Sequence, residues 1–309
     1  MKTGQNLQGY TYPELSAIWM KAEELGFDSA WLHDHLVSGT NKTTDPTLEA
    51  YTTMAALARD TKRLRMGTLV TCLSFRNPAV LAKVGATIDS ISGGRFIMGI
   101  GTGWDEKEAT DYGLSFPPFR ERFEQLDEAL QIFRLMWTED SPSFKGKHFS
   151  ITNAQCYPKP VQKHLPVWVG IDVGTRRMPR LGVEKADGFN STAPPDLLRK
   201  MLDRAEEVRM RTGRAREEVT YSAQMPLLVG SESQVEEILQ HLIKRWGVPR
   251  EDFMKKTRDE RWIIGTPEKV AEDLRAYLDV GMEYLVPKIM GDMLLWPLEV
   301  VKDKLLPLL

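Results

Sequence analysis

The chain has 309 residues and 42% hydrophobic content, with 41 Lys and Arg against 43 Asp and Glu for a formal charge of -2. That length buries a large core, as one big α/β domain or two smaller ones, and the interspersed charges form no basic stripe for nucleic acid. No apolar run approaches the roughly 20 residues that cross a bilayer, and no signal peptide is read at the Met1 end. The two cysteines, Cys72 and Cys156, lack metal-ligand spacing. The expectation is a soluble cytoplasmic protein with free thiols and no bound metal.

Met1–Leu7 is a short candidate first strand. Thr11-Tyr12-Pro13-Glu14 opens a helix that turns Leu15, Ile18, Trp19, Ala22 and Leu25 inward and stops at Gly26. Phe27–Leu32 is the second strand and runs directly into His33-Asp34-His35, followed by a polar loop to Asp45-Pro46 and a helix over Thr47–Arg59. Arg65–Thr71 is the third strand, and Cys72–Asn77 leads to a helix that Pro78 starts and Ser92-Gly93-Gly94 ends. In that helix Val80, Leu81, Val84, Ile88 and Ile91 share helical spacing. Arg95–Ile100 is the fourth strand, and Gly101-Thr102-Gly103-Trp104 leaves its C-terminal end. Two strands joined by one such helix form a parallel βαβ unit, whose two strand-following loops lie at the same end.

Asp105–Pro118 is predicted as an irregular excursion, Phe119–Trp137 as a long amphipathic helix and Ser141–Pro160 as a small antiparallel insertion. Val167–Ile171 is the fifth strand, Ala186–Asn190 the sixth, Val219–Val229 the seventh and Glu283–Ile289 the eighth. Between and after them run a short helix to Gly182 and helices over Asp196–Thr212, Ser231–Trp246, Thr266–Val280 and Leu294–Leu308. A polar, charged segment fills 247–262. Eight strands alternating with helices predict a single α/β domain over 1–309, a (β/α)8 TIM barrel with insertions near 104–118, 141–160 and 247–262. A doubly wound open sheet would show a Gly-x-Gly-x-x-Gly loop after its first strand, and none stands there.

Chemistry in such barrels sits in the loops after the strands. After strand two, a histidine offers a proton donor or acceptor near working pH. His33 and His35 are expected to point to opposite sides, with His35, nearer the loop, facing the mouth. At the end of strand three, Thr68-Leu69-Val70-Thr71 lets a flat ligand approach the backbone. Gly101 and Gly103 permit close approach after strand four, and Trp104 adds a large apolar face with one donor; a core tryptophan in a tight turn is the competing reading. Gly170 through Arg177 enters a helix N-terminus, where free N–H groups and Arg176 favour a phosphate.

Several segments in order carry a resemblance. They are Glu23-Glu24-Leu25-Gly26-Phe27-Asp28 with Trp31 and Asp34-His35-Leu36, then Asn77-Pro78-Ala79-Val80-Leu81-Ala82-Lys83 with Ser92-Gly93-Gly94-Arg95. Gly101-Thr102-Gly103-Trp104 with Glu108, Pro158-Lys159-Pro160 with Gln162, Ala186-Asp187-Gly188 and Gly265-Thr266-Pro267-Glu268 complete the set. Together they resemble the luciferase-like monooxygenase superfamily, in its coenzyme F420-dependent oxidoreductase branch. The resemblance implies a barrel with a flavin-type ring in its mouth, assembled as a homodimer. It places Asp34 and His35 at the cofactor ring, Thr71 at its edge and Thr68-Leu69 at a non-proline cis peptide behind it. It assigns phosphate contacts to Gly170, Gly174, Thr175 and Arg176. Trp104 and Glu108 fall to the substrate pocket, and Asp105–Pro118 with Val37–Asp45 to a lid.

Two departures bear on substrate. Some deazaflavin dehydrogenases for sugar phosphates carry a glutamate where this chain has Trp104, and a tryptophan where it has Gly39. Both argue against sugar-phosphate dehydrogenation in that manner. Asp172 follows Gly170-Ile171 where relatives often have paired glycines. The expected function is hydride transfer between reduced F420 and a small organic substrate, with His35 as the catalytic residue. The alternatives are an FMN-dependent monooxygenase fed by a partner flavin reductase, and a non-catalytic flavin-binding barrel. Cofactor identity separates the first two, because deazaflavin does not support oxygen activation.

Overall fold

The computed structural model describes residues 3–4, 10–37, 46–171, 177–291 and 294–309. Eight parallel strands form its centre: β1 (Thr3–Gly4), β2 (Ser29–Leu32), β3 (Arg65–Thr68), β4 (Phe96–Gly101), β5 (Val167–Ile171), β6 (Gly188–Ser191), β7 (Thr220–Val229) and β8 (Tyr284–Ile289). Each pairs with the next, and β8 pairs with β1 through Gly4 and Lys288, so the ring closes. This is the expected (β/α)8 barrel, with its strands read correctly as near-continuous apolar runs because both faces are buried.

Helices follow the strands on the outside: α1 (Tyr12–Glu24), α2 (Ala50–Asp60), α3 (Pro78–Ser92), α4 (Glu106–Asp111), α5 (Phe119–Thr138), α6 (Met178–Glu184), α7 (Pro195–Thr212), α8 (Glu232–Trp246), α9 (Arg250–Asp259), α10 (Pro267–Asp279) and α11 (Trp296–Val300). Their starts obey local chemistry. Asn77 accepts from the N–H groups of Ala79 and Val80 to open α3, and Gly93, at φ 68°, closes it. Leu81 and Ile88 of α3 pack inward as its spacing predicts, whereas Val80 is 59% exposed at the first turn.

A separate apolar layer plugs the barrel interior, built from Trp31, Leu69, Ile97, Trp168, Tyr284 and Val286. The Trp31 and Trp168 rings stack at 5.0 Å, and Tyr284 meets Trp168 edge-on at 4.8 Å. Both polar tips are satisfied, since Trp31 Nε1 and the Tyr284 hydroxyl donate to Ser29 Oγ at 2.8 and 2.9 Å. Gly67 makes the room: a Cβ there would stand 2.4 Å from the Trp31 ring and from the Ile97 carbonyl oxygen. The plug closes the barrel so that the space above it is a pocket rather than a pore.

The structure departs from the sequence reading in two of the three insertions, while the third is the antiparallel piece expected. The 105–118 excursion contains α4, which Asp105 caps by accepting from the Glu108 N–H at 2.9 Å. The segment read as polar and charged contains α9 and leads into a short strand, Ile263–Gly265, that pairs with the end of β7 outside the ring. Trp246, Phe253 and Trp262 pack edge-on beneath it, so the charges of α9 are its solvent face only. In the insertion, Phe144–Lys145 and Ser150–Ile151 pair as a hairpin, whose turn donates three backbone N–H groups to Glu128.

Candidate active site

A cavity of about 490 Å³ opens at the C-terminal ends of the strands, within the range of small-molecule and cofactor sites. Residues after β2, β3, β4, β5, β6 and on β7 line it: His33, Asp34 and His35; Leu69 through Cys72; Gly101 through Asp105; Gly170 and Ile171; Asn190 and Thr192; and Gln224. Glu108 and Phe119 border it from α4 and α5.

His35 and Glu108 form its most defined pair. Nδ1 of His35 lies 2.8 Å from Glu108 Oε2, and Oε1 accepts from the N–H groups of Leu36 and Val37 at 2.5 and 3.1 Å. Glu108 is only 2% exposed. Burial opposes its ionisation, but the hydrogen bond and charge of His35 together with the two backbone donors outweigh it and hold the carboxyl below the usual range. An ionised carboxylate only accepts, so Nδ1 of His35 carries the hydrogen and Nε2 is left toward the cavity. Glu108, expected in the substrate pocket, lines the cavity, and its oxygens are engaged by His35 and the backbone after β2.

His33 also lines the cavity, against expectation. Positions two apart in an extended segment point to the same side, so His33 and His35 share a face, with ring centroids 6.4 Å apart, and Asp34 takes the other. His33 Nε2 lies 3.1 Å from Gln224 Nε2, which donates to it. Burial, aided by the charges of Lys288 and His35, pushes its pKa down to about 3, so it is neutral. Asp34 turns its carboxylate away from the mouth, accepting two hydrogen bonds from Arg76 at 2.6 and 2.9 Å and one from the Cys72 N–H at 3.1 Å. Burial works against the Arg76 charge, but Asp34, Tyr51 and Glu49 outweigh it and hold the guanidinium above its ordinary value. Asp34 thus ties the end of β2 to the loop after β3.

The end of β3 forms a flat wall. The non-proline cis peptide joins Leu69 to Val70, one residue beyond the expected Thr68-Leu69. Thr68 is fully buried behind the wall, donating to the Gly99 carbonyl at 2.8 Å and meeting Thr71 Oγ1 at 2.8 Å. With the Thr68 hydrogen spent on Gly99, Thr71 donates to Thr68 and accepts from the Tyr51 hydroxyl at 2.6 Å. Gly101 and Gly170 make room for protein rather than only for a ligand. A Cβ at Gly170 would lie 2.6 Å from Val70 Cγ2, and one at Gly101 2.9 Å from the same atom. Gly103, at φ 78°, sits over Cys72, where a Cβ would stand 2.5 Å from Sγ. Burial pushes the Cys72 thiol up to about 12, so it is no thiolate nucleophile.

Trp104 is 74% exposed, which removes the core-residue reading, and it meets His35 edge-on at 5.6 Å. Opposite, Asn190 donates to Ser222 Oγ at 2.9 Å and keeps its carbonyl oxygen for other partners. Gln224 and Asn190 were missed in the sequence; the signal was polar residues interrupting strands that otherwise read as apolar. Of the residues assigned to phosphate, Gly170 lines the cavity, whereas Gly174, Thr175 and Arg176 lie outside the described residues, as do 38–45 of the proposed lid. Among the described residues no cluster of His, Cys, Asp and Glu could hold a metal.

Residues 2–284 match the family model for luciferase-like monooxygenases. The chain belongs to that family. It is 29% identical over 299 residues to the F420-dependent glucose-6-phosphate dehydrogenase of Amycolatopsis mediterranei, covering 86% of this chain and 85% of that protein. Its structure resembles an F420-dependent secondary alcohol dehydrogenase in complex with an F420-acetone adduct, with a TM-score of 0.84, 22% identity and coverage of 100% and 99% of the two chains. The monooxygenase RslO1 from Streptomyces bottropensis gives a TM-score of 0.80 at 19% identity, over 99% of each chain. At those identities the two structural likenesses concern the fold.

Proposed function

We propose that this luciferase-like barrel is an F420-dependent oxidoreductase that moves hydride between the deazaflavin and a small organic substrate. The carrying observation is a single imidazole, fixed at Nδ1 by a buried carboxylate, whose Nε2 faces a cavity walled by Leu69–Thr71. F420-dependent relatives aligned over most of the chain support the choice of cofactor.

The residues fit a flat, amphipathic ring. Leu69 and Val70 would back it, Thr71 has a lone pair left for its edge, and Asn190 and Gln224 offer amide groups to a polar edge. Bound there, the cofactor supplies a two-electron hydride acceptor or donor. His35 holds or takes a proton at Nε2 beside the reacting carbon, and Glu108 keeps the opposite nitrogen protonated. Trp104, beside His35, covers part of the mouth. Gly174, Thr175 and Arg176 would hold the cofactor phosphate, as the family resemblance implies.

Titration of purified protein with F420 and with FMN tests the reading. Binding of F420, with turnover lost but cofactor affinity kept in His35→Ala, is the expected result. Tight FMN binding without F420 binding would move the protein to the flavin monooxygenases. The same reading carries a cytoplasmic homodimer whose cofactor is recycled by a separate dehydrogenase, with sedimentation as the check on the dimer.

A further inference from the structure

We propose that the substrate is an uncharged alcohol, or the ketone or aldehyde it interconverts with, bearing an apolar group beside the reacting carbon, and not a phosphorylated sugar. This rests on the hydride-transfer reading above. The position beside His35 decides it. The exposed indole of Trp104 meets that imidazole edge-on at 5.6 Å, and Phe75, Phe119 and Met178 add apolar surface to the same cavity. A carbon skeleton laid against this wall gains from burial, whereas a sugar ring would leave its hydroxyls facing carbon there.

Charge points the same way. The Asp, Glu, Lys and Arg side chains among the described cavity-lining residues are Asp34, Asp105 and Glu108, and none is Lys or Arg. Among the described residues, two guanidinium groups close to the lining are committed elsewhere. Arg76 is held by Asp34 and Glu49 and stacks on Tyr51. Arg122 donates to the carbonyl oxygens of Thr102, Gly103 and Pro117 and lies over the Phe116 ring at 3.9 Å. Lys288, whose charge reaches His33, is not among the lining residues. A phosphate beside His35 would meet the Asp105 and Glu108 carboxyls and no Lys or Arg among the described lining residues, and an anion buried without a partner is strongly disfavoured. A neutral hydroxyl meets no such cost. Its oxidation is balanced: the C–H bond breaks with its electron pair, which leaves as hydride to the oxidised deazaflavin, the O–H proton goes to His35 Nε2 and the C=O bond forms.

The test compares propan-2-ol, cyclohexanol and benzyl alcohol with glucose 6-phosphate and inorganic phosphate. Binding is read by ligand-observed NMR on the protein with and without F420, and turnover by loss of the oxidised F420 absorbance. A failed F420 titration removes the cofactor reading, while the preference between neutral and anionic ligands is still measured on the cofactor-free protein. The expected result is saturable binding of the neutral compounds alone and, with cofactor, a kcat/KM for cyclohexanol at least about tenfold above that for glucose 6-phosphate. Trp104→Ala should lower the cyclohexanol value by about tenfold. Saturable binding of glucose 6-phosphate or phosphate competing at this cavity overturns the proposal, and so does the absence of any response to the neutral panel.

Discussion

Glu108 serves three donors with two oxygens, and that count fixes what a neutral replacement must do. In Glu108→Gln the amide oxygen goes to the two backbone donors of Leu36 and Val37, which leaves the NH2 group facing His35 Nδ1. The imidazole must then accept at Nδ1 and carry its hydrogen at Nε2, the wrong tautomer for taking a proton from substrate. The expected outcome is a fall in kcat of roughly a hundred- to ten-thousand-fold in the direction that needs a base, with F420 affinity changed little. An unchanged kcat with a weakened cofactor would show that Glu108 shapes the binding loop and not the imidazole. The carboxyl's folded pKa is depressed, so its contribution to stability is present above the unfolded value and lost as pH falls through the folded one. The wild-type pair therefore holds across neutral pH and fails only in acid.

At the scale of elements, the wall after β3 depends on glycines in two neighbouring strands. Val70 sits in a notch left by Gly101 and Gly170, and Gly99 approaches so closely that its Cβ would stand 1.9 Å from the Thr68 carbonyl oxygen. Gly170→Ala should push Val70 toward the cavity, weaken F420 binding by about tenfold or more and cost about 1–3 kcal/mol in thermal or denaturant unfolding. Adding Val70→Ala should restore the binding, because it removes the atoms in collision; cofactor titration of the single and double variants settles it, and wild-type affinity in the single variant would sink the idea. A missing side chain reads identically in sequence whether it admits a ligand or a valine, which is why Gly101 and Gly170 were read as ligand contacts or turn residues and not as room for Val70. The strands were legible because buried parallel strands are compact apolar runs. Helix α4 had a signal in Asp105-x-x-Glu108, the pattern of a capping box, but its glutamate reaches His35 instead of the cap. That pairing spans 73 residues, so no local pattern could reveal it. His33 was misassigned for another reason: period-two alternation puts it on the same side as His35, and it was taken to do the opposite.

Over the whole molecule, acid stability is set by carboxyls spread around the barrel and, within the site, by Glu108 and His33. Among the carboxyls whose folded pKa values lie below their ordinary range are Glu23, Glu108, Glu128 and Asp187. In each, burial opposes ionisation and hydrogen bonds overcome it: three backbone N–H groups do so at Glu23 and at Glu128, and His164, Arg134 and the Val167 N–H at Asp187. Their contributions are lost only at low pH. His33 acts earlier. Its folded pKa of about 3 lies under the ordinary 6.5, so below 6.5 the unfolded chain binds a proton that the folded chain refuses, and stability falls from there toward pH 3. By pH 5 that single group costs roughly 2 kcal/mol, from about 1.5 pH units at 1.36 kcal/mol each. His33→Asn in cofactor-free protein should therefore flatten the denaturation free energy between about pH 6.5 and about pH 5 by roughly that amount, while leaving the steeper carboxylate loss at lower pH in place. Urea unfolding at a series of pH values measures it. A variant whose stability falls as steeply as the wild type over that interval would mean that His33 takes up its proton in the folded barrel, and that its surroundings relax to accept the charge.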